Sequence, residues 1–253
     1  MRNALPLYED VARRLPDRRL MFLNYGYADG DFAWLRPSDG EWKYHLALVR
    51  RVLAGVEVAG RDVLEAGCGR GGNLYYLAHY TAAARLVGLD ASEGNLAFCR
   101  RVHGGGRAAF LRGDAQQLPF APASFDLLLN LESSHCYPRL GDFLAEAYRV
   151  LRPGGCLAYA DFWHVQAFRQ DWAEREDDLR RSPFCAAVAE DIGDAVREAL
   201  KRSDGLSHLL LAMENQANRD LVQFLVRTNE AMRVTLAARQ GRYLVWRLVK
   251  PQR

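Results

Sequence analysis

Val63-Leu64-Glu65-Ala66-Gly67-Cys68-Gly69-Arg70-Gly71-Gly72 is the stretch that decides the fold. Val63–Ala66 reads as a short buried strand, and Leu74 and Leu77 place a helix directly after the glycines. Glycines 67, 69 and 72 satisfy G-x-G-x-x-G. Glycine allows backbone angles closed to other residues and lets a ligand approach the main chain. Alone the pattern is weak. Here it sits between strand and helix, and Asp90 ends the next strand roughly 20 residues on, where a carboxylate takes ribose hydroxyls.

Outward from this turn, strand and helix alternate. Leu86–Leu89 is a strand, followed by a helix from Glu93 to Val102. Ala108–Leu111 and Phe125–Asn130 are further strands, the latter continuously apolar, as a strand covered on both faces must be. A helix over Leu140–Leu151 and the turn Arg152-Pro153-Gly154-Gly155 lead into a strand over Cys156–Ala160 that ends at Asp161. The alternation predicts an α/β doubly wound, mainly parallel sheet. Helices are expected over Tyr8–Arg14, from Glu41, over Ala167–Arg181 and Ile192–Lys201, and across much of Leu206–Arg239. Phe184–Val188 and Arg242–Val249 read as strands.

Composition narrows the function classes. The chain has 253 residues, 49% hydrophobic and 26% charged, with 34 Lys and Arg against 31 Asp and Glu. A net +3 without clustered basic residues is not the footprint of a nucleic-acid binder. No apolar run approaches the ~18–20 residues of a membrane span, and the opening MRNALPLYEDVARRL has no secretory apolar core. Five cysteines, odd in number and without C-x-x-C, speak against a disulfide framework or a zinc site and for the reducing cytoplasm. The six histidines include no H-x-x-x-H, so no metal is expected.

The glycine turn leaves two ligands open, a dinucleotide or S-adenosylmethionine. Five motifs decide between them: Glu65 ahead of the turn, Asp90, Gly113-Asp114-Ala115 before Leu118-Pro119-Phe120, Ser124-Phe125-Asp126, and Leu151-Arg152-Pro153-Gly154-Gly155. In that order and spacing they resemble the class I S-adenosylmethionine-dependent methyltransferases, densely over residues 60–165. The resemblance implies a Rossmann-like sheet of seven strands, the last, here Arg242–Val249, antiparallel. It implies that Gly67 and Gly69 approach the methionine part, that Asp90 holds the ribose, and that Asp114 and Ala115 frame the adenine. Glu65, Ala91, Asn95, Asn130 and Leu131 complete the expected cofactor wall, with Tyr25 or Tyr27 closing over the methionine end and core packing beneath the sheet edge as the plain alternative.

Glu132-Ser133-Ser134-His135-Cys136-Tyr137-Pro138 narrows the group. With Asn24-Tyr25-Gly26-Tyr27, Glu190-Asp191-Ile192 and Arg242-Tyr243-Leu244, it resembles the phthiotriol dimycocerosate O-methyltransferase type of natural-product enzyme. The sugar O-methyltransferases of indolocarbazole biosynthesis are similar around Glu132–His135 and Asp161, and there a histidine and an aspartate are assigned to proton abstraction. This chain has Cys136 where a second histidine follows in that group. Imidazole titrates near neutrality, so His135 is the expected general base and Asp161 its orienting partner. The plainer alternatives are that His135 caps the helix near Arg139 and that Asp161 pairs with an arginine.

The expected organisation is one methyltransferase domain. Residues 1–40 form a lid, 41–191 the cofactor core, 192–240 a helical cap over the acceptor, and 241–253 the final strand of the core. Tyr27, Trp163, His164 and Met213 are expected at the acceptor, and Leu209, Leu210, Leu221 and Phe224 are further apolar candidates, with helix packing as the plain alternative for each. The leading expectation is O-methylation of a hydroxyl on a small secondary metabolite, a polyketide, lipid or sugar-decorated product. Nitrogen or carbon acceptors, a cyclase or partner role on the same fold, and more distantly a nicotinamide dehydrogenase are the competing readings. Partners are confined to a small-molecule acceptor, with a homodimer left open.

Overall fold

The computed structural model describes residues 5–164, 172–202, 205–238 and 241–252. In chain order the strands are Asp62–Ala66 (β1), Arg85–Asp90 (β2), Ala108–Arg112 (β3), Phe125–Leu131 (β4), Leu151–His164 (β5), Cys185–Asp191 (β6) and Gly241–Val249 (β7). The helices are Leu5–Arg14 (α1), Lys43–Val52 (α2), Gly72–Tyr80 (α3), Glu93–His103 (α4), Leu140–Val150 (α5), Trp172–Arg181 (α6), Gly193–Arg202 (α7), Gly205–Ala212 (α8) and Arg219–Ala237 (α9).

The seven strands form one sheet in the order β3-β2-β1-β4-β5-β7-β6. The first five strands run parallel, whereas β7 is antiparallel to both β5 and β6. The β1 strand lies in the middle, with Glu65 opposite Gly88 on one side and Leu129 on the other. Side chains alternate across a strand, and the alternation sorts the core into two layers. Val63, Leu129, Ala160 and Val245 face α2, α3 and α7; Leu64, Leu128, Tyr159 and Leu244 face α5 and α6. Both faces are covered, which is why these strands read as unbroken apolar runs.

Several boundaries differ from the sequence reading: β5 starts at Leu151 rather than Cys156, and β6 runs on to Asp191. The β5 strand runs past Asp161 to His164 because β7 pairs with it there, Trp163 opposite Arg242 and His164 opposite Gly241. The residues Ala167 to Asp171 of the expected helix lie outside the described residues, and α6 supplies the rest. A third cluster joins Val11, Leu15 and Leu20 from the N-terminal segment to Leu210, Leu221 and Val222 from α8 and α9. By contrast α7 packs on the sheet through Val196 and Leu200. Among the described residues, no helix is long and apolar enough to cross a membrane.

Candidate active site

The chain leaves β1 through a turn in which Gly67 and Gly69 take φ of +75° and +51°, the left-handed region that penalises a side chain. A Cβ at Gly67 would also lie 1.8 Å from Ser133 Oγ, so the turn and the segment after β4 close against each other. The third motif glycine serves a different neighbour, since a Cβ at Gly72 would lie 2.7 Å from the Met21 carbonyl. Two glycines of the motif thus make room for protein as well as exposing main chain to a ligand.

Gly67 and Gly69 open onto a cavity of about 540 Å³. This is within the range of small-molecule sites, about 300–1,000 Å³. Its wall includes Asp90, Ala91 and Asn95 from the end of β2 and start of α4, and Asp114 and Ala115 after β3. Tyr25, Leu131 and His135 lie on the same wall. Asp90 Oδ2 accepts from Gly69 N at 2.7 Å, and Oδ1 accepts from Ser92 N at 2.9 Å and Asn95 Nδ2 at 3.5 Å, which leaves Oδ2 the freer oxygen for a ligand hydroxyl. Burial raises its pKa, and the hydrogen bonds from Ser92 and Gly69 oppose that. Asn95 is 2% exposed, and its Oδ1 is buried without a hydrogen-bond partner. Asn95 as a residue lines the cavity.

His135 sits in a short 3-10 turn, Ser134–Cys136, directly after β4. Its Nδ1 meets Asp161 Oδ1 at 2.9 Å, and its backbone N–H donates to Asp161 Oδ2 at 2.9 Å. The side chains are 11% and 2% exposed. Burial disfavours the charged imidazole, but the Asp161 charge and hydrogen bond outweigh it and push the ring up to about 10. Burial likewise acts to raise Asp161, yet His135 and a 2.7 Å hydrogen bond from Ser134 Oγ hold its carboxyl below the ordinary value. The Ser134 hydroxyl is in turn held by Tyr159 Oη at 2.6 Å and Arg175 Nη1 at 3.2 Å, while Arg175 Nη2 donates to the Ser134 carbonyl at 2.9 Å. The ring of Phe162 lies 4.7 Å from the imidazole.

Several expected residues stand elsewhere. Glu65 is fully buried behind the wall, where its Oε1 accepts from Asn73 Nδ2 at 2.7 Å. Asn130 is also fully buried and straps Ala66 O at 2.8 Å to Tyr137 Oη at 2.9 Å. Neither belongs to the cavity lining, nor do Tyr27 and Met213. Tyr27 Oη donates to Asp29 at 3.0 Å, and Met213 packs on the cluster shared by α1, α8 and α9. The backbones of Trp163 and His164 belong to β5, and their side chains lie outside the described residues. Leu210 and Phe224 do reach the cavity.

Sequence reading missed Glu132 as a wall residue of its own. It takes φ +49°, unusual for a residue with a side chain, and Oε1 accepts from Tyr25 N at 2.9 Å and Tyr243 Oη at 2.7 Å. Burial pushes its carboxyl up to about 8. The Ser134–Tyr159–Arg175 support was also missed. Nothing in a charged helix such as α6 singles out Arg175 before the fold brings it under the 3-10 turn.

A family model described as a methyltransferase domain matches residues 64–159. The fatty-acid O-methyltransferase of Mycolicibacterium smegmatis is 39% identical over 220 residues, covering 86% of this chain and 79% of that protein. The chain belongs to the S-adenosylmethionine-dependent methyltransferases. Phthiotriol/phenolphthiotriol dimycocerosates methyltransferase 1 of Mycobacterium ulcerans is 36% identical and covers 81% and 74% of the two chains. Among solved structures, the cyclase SpnF superimposes with a TM-score of 0.76 at 21% identity, covering 99% of this chain and 96% of its own. The geranyl diphosphate C-methyltransferase of Streptomyces coelicolor gives 0.69 at 18% identity, covering 98% and 99%. These two show the fold, including the antiparallel last strand.

The methyltransferase cofactor is S-adenosylmethionine, and the residues present fit it. The main chain of Gly67 and Gly69, the acceptor capacity of Asp90 and the side chain of Asn95 meet at one cavity. When bound, the cofactor supplies a methyl group on a sulfonium centre, an electrophile with a good leaving group. What remains for the protein is to align the accepting atom and manage its proton.

Proposed function

We propose that this methyltransferase transfers the methyl group to an oxygen of a lipophilic small molecule, with the accepting oxygen held at His135. The observation that carries this reading is the His135–Asp161 pair, buried at 2.9 Å on the wall of the cavity. Beyond it the lining is apolar, with Leu7 and Val11 from α1 and Leu210, Phe224 and Leu225 from α8 and α9. In this reading the N-terminal segment and α8–α9 enclose the acceptor, whereas α7 belongs to the core. Two relatives named for a fatty acid and for phthiotriol dimycocerosates support a lipid-type acceptor.

For a hydroxyl acceptor, Asp161 holds Nδ1 and the imidazole receives the hydroxyl proton while the oxygen takes the methyl. Acid–base help of this kind contributes about 10²–10⁴-fold. His135→Ala should therefore keep S-adenosylhomocysteine binding within twofold and lose at least about tenfold in kcat. Unchanged turnover would remove His135 from the mechanism. The raised pKa of His135 favours a second reading. A carboxylate acceptor needs no base, and a charged imidazole would hold it by a charge-assisted hydrogen bond. Turnover on a hydroxyl acceptor should climb with pH; turnover on a carboxylate should stay level until the imidazole loses its proton.

A further inference from the structure

Arg70 stands at the middle of the glycine turn, and its side chain takes no part in the chemistry described so far. It is 1% exposed, yet no carboxylate faces it among its hydrogen bonds. Nη1 donates to the Leu20 carbonyl at 3.0 Å, and Nη2 to the carbonyls of Leu15 and, at 3.5 Å, Val11. The guanidinium carbon lies 4.0 Å from the centre of the Phe98 ring, a cation–π contact. All of its carbonyl partners belong to the N-terminal segment. Two of them, Val11 and Leu15, lie at the last turn of α1 and just beyond it, the negative end of the helix dipole.

The same turn is pressed against this segment independently of Arg70. A Cβ at Gly72 would lie 2.6 Å from Phe22 Cδ1, and one at Gly69 would lie 3.1 Å from Leu23 Cδ1. On the other side, the Arg70 carbonyl accepts from or faces His103 Nε2 at 3.0 Å, which pins the turn to α4. The glycine turn is thus packed against residues 11–23, and the buried Arg70 side chain ties it to three of their carbonyls. Val11, Leu15, Leu20 and Phe22 also line the cavity.

We propose that Arg70 is a positioning residue that couples cofactor binding to docking of the N-terminal lid: the guanidinium carries the ordering of the turn at Gly67–Gly72 into residues 11–23, which close the acceptor cavity. A long, planar, forked cation spans carbonyls several residues apart; lysine, with one compact head, does not. A buried carbonyl left without a donor costs about 1–3 kcal/mol, so the lid does not stay docked once Arg70 is removed.

The test compares wild type with Arg70→Met, Arg70→Lys and Glu9→Gln. Glu9 ties α1 to α4 through a 3.0 Å bond from Gly94 N and does not touch the glycine turn. Two quantities are read, the calorimetric Kd for S-adenosylhomocysteine and amide hydrogen exchange in residues 5–23 with and without it. In wild type, S-adenosylhomocysteine should slow exchange in residues 5–23 at least tenfold. Arg70→Met and Arg70→Lys should each weaken S-adenosylhomocysteine at least fivefold and lose that protection, while residues 62–66 of the core strand stay protected. Glu9→Gln keeps an oxygen to accept from Gly94 N and should leave lid exchange and its ligand-induced slowing as in wild type. If Arg70→Met does not fold, Arg70→Lys carries the test alone. Either Arg70 variant binding S-adenosylhomocysteine within twofold of wild type, or keeping the ligand-induced slowing in the lid, overturns the proposal.

Discussion

Replacing Asp161 by Asn keeps the shape of the side chain and removes the charge that sets the state of His135. With Asp161 in place the imidazole is pushed up to about 10 from an ordinary value of 6.5. At about 1.4 kcal/mol per pH unit, that gap is roughly 5 kcal/mol of preference for the imidazolium. It is the net of burial, which lowers the ring, against the Asp161 charge and hydrogen bond and the Cys136 contact, which raise it. Without the charge, burial, the largest influence, faces only the smaller Cys136 contacts and takes the ring below 6.5. The direct assay is an NMR titration of labelled histidine: His135 should titrate near 10 in wild type and below 6.5 in Asp161→Asn. Stability follows the same shift. A group raised in the folded state stabilises fully below its unfolded value and loses that contribution as pH rises through the folded one. Wild type should therefore lose up to roughly 5 kcal/mol between pH 6.5 and 10 in urea unfolding, relative to Asp161→Asn. Turnover on a hydroxylated fatty-acid methyl ester should climb about tenfold per pH unit from 7 to 9 in wild type and stay flat in the variant. A wild-type His135 that titrates at or below 7 would refute the reasoning at its first step.

Gly67→Ala should abolish measurable S-adenosylhomocysteine binding and lower Tm, since the added carbon meets Ser133 Oγ at 1.8 Å on a backbone at φ +75°; a Kd within threefold of wild type would show that the turn yields. Glu132→Gln removes a carboxyl pushed up to about 8, whose contribution is full below pH 4.5 and lost as pH rises through 8, so the fall in unfolding free energy over that window should be shallower in the variant. Arg175→Met leaves the carbonyls of Ser134 and Tyr137 short of a donor and removes a cation that lowers the Asp161 pKa, so it should cut kcat more than it raises KM and shift the pH profile upward. Phe224→Ala should raise KM for long acyl acceptors severalfold while leaving the Kd for S-adenosylhomocysteine unchanged, as read by initial rates and calorimetry.

The sheet was legible because both of its faces are buried, so each central strand prints as an apolar run between punctuating turns. The end of β5 was not, because the pairing of Trp163 with Arg242 is made by a strand 79 residues away in the chain. At the site, parity along the strands explains the misplacements. Leu131 reaches the cavity and its neighbour Asn130 points into the sheet, and a polar residue at a strand tip is compatible with either side. His135 and Asp161 were readable one by one as titratable groups after adjacent strands. The Ser134–Tyr159–Arg175 support was not, since hydroxyls and arginines are common and only the fold puts these three around one carboxylate. Met213 fell to helix phase: the turn at the end of α8 carries it to α1 instead of the cavity.

The place of β7 bears on how the protein is made. It is the last strand in the chain, yet it is inserted between β5 and β6, with Leu244 opposite Asp161 and Tyr243 Oη on Glu132. During synthesis the five parallel strands emerge first and can pair while the rest is still unmade. Until β7 slots in, one side of β5 is an open edge, and the strand that carries Asp161 is the exposed one. The nascent enzyme thus holds the parallel half of its sheet before the strand that borders Asp161 is in place.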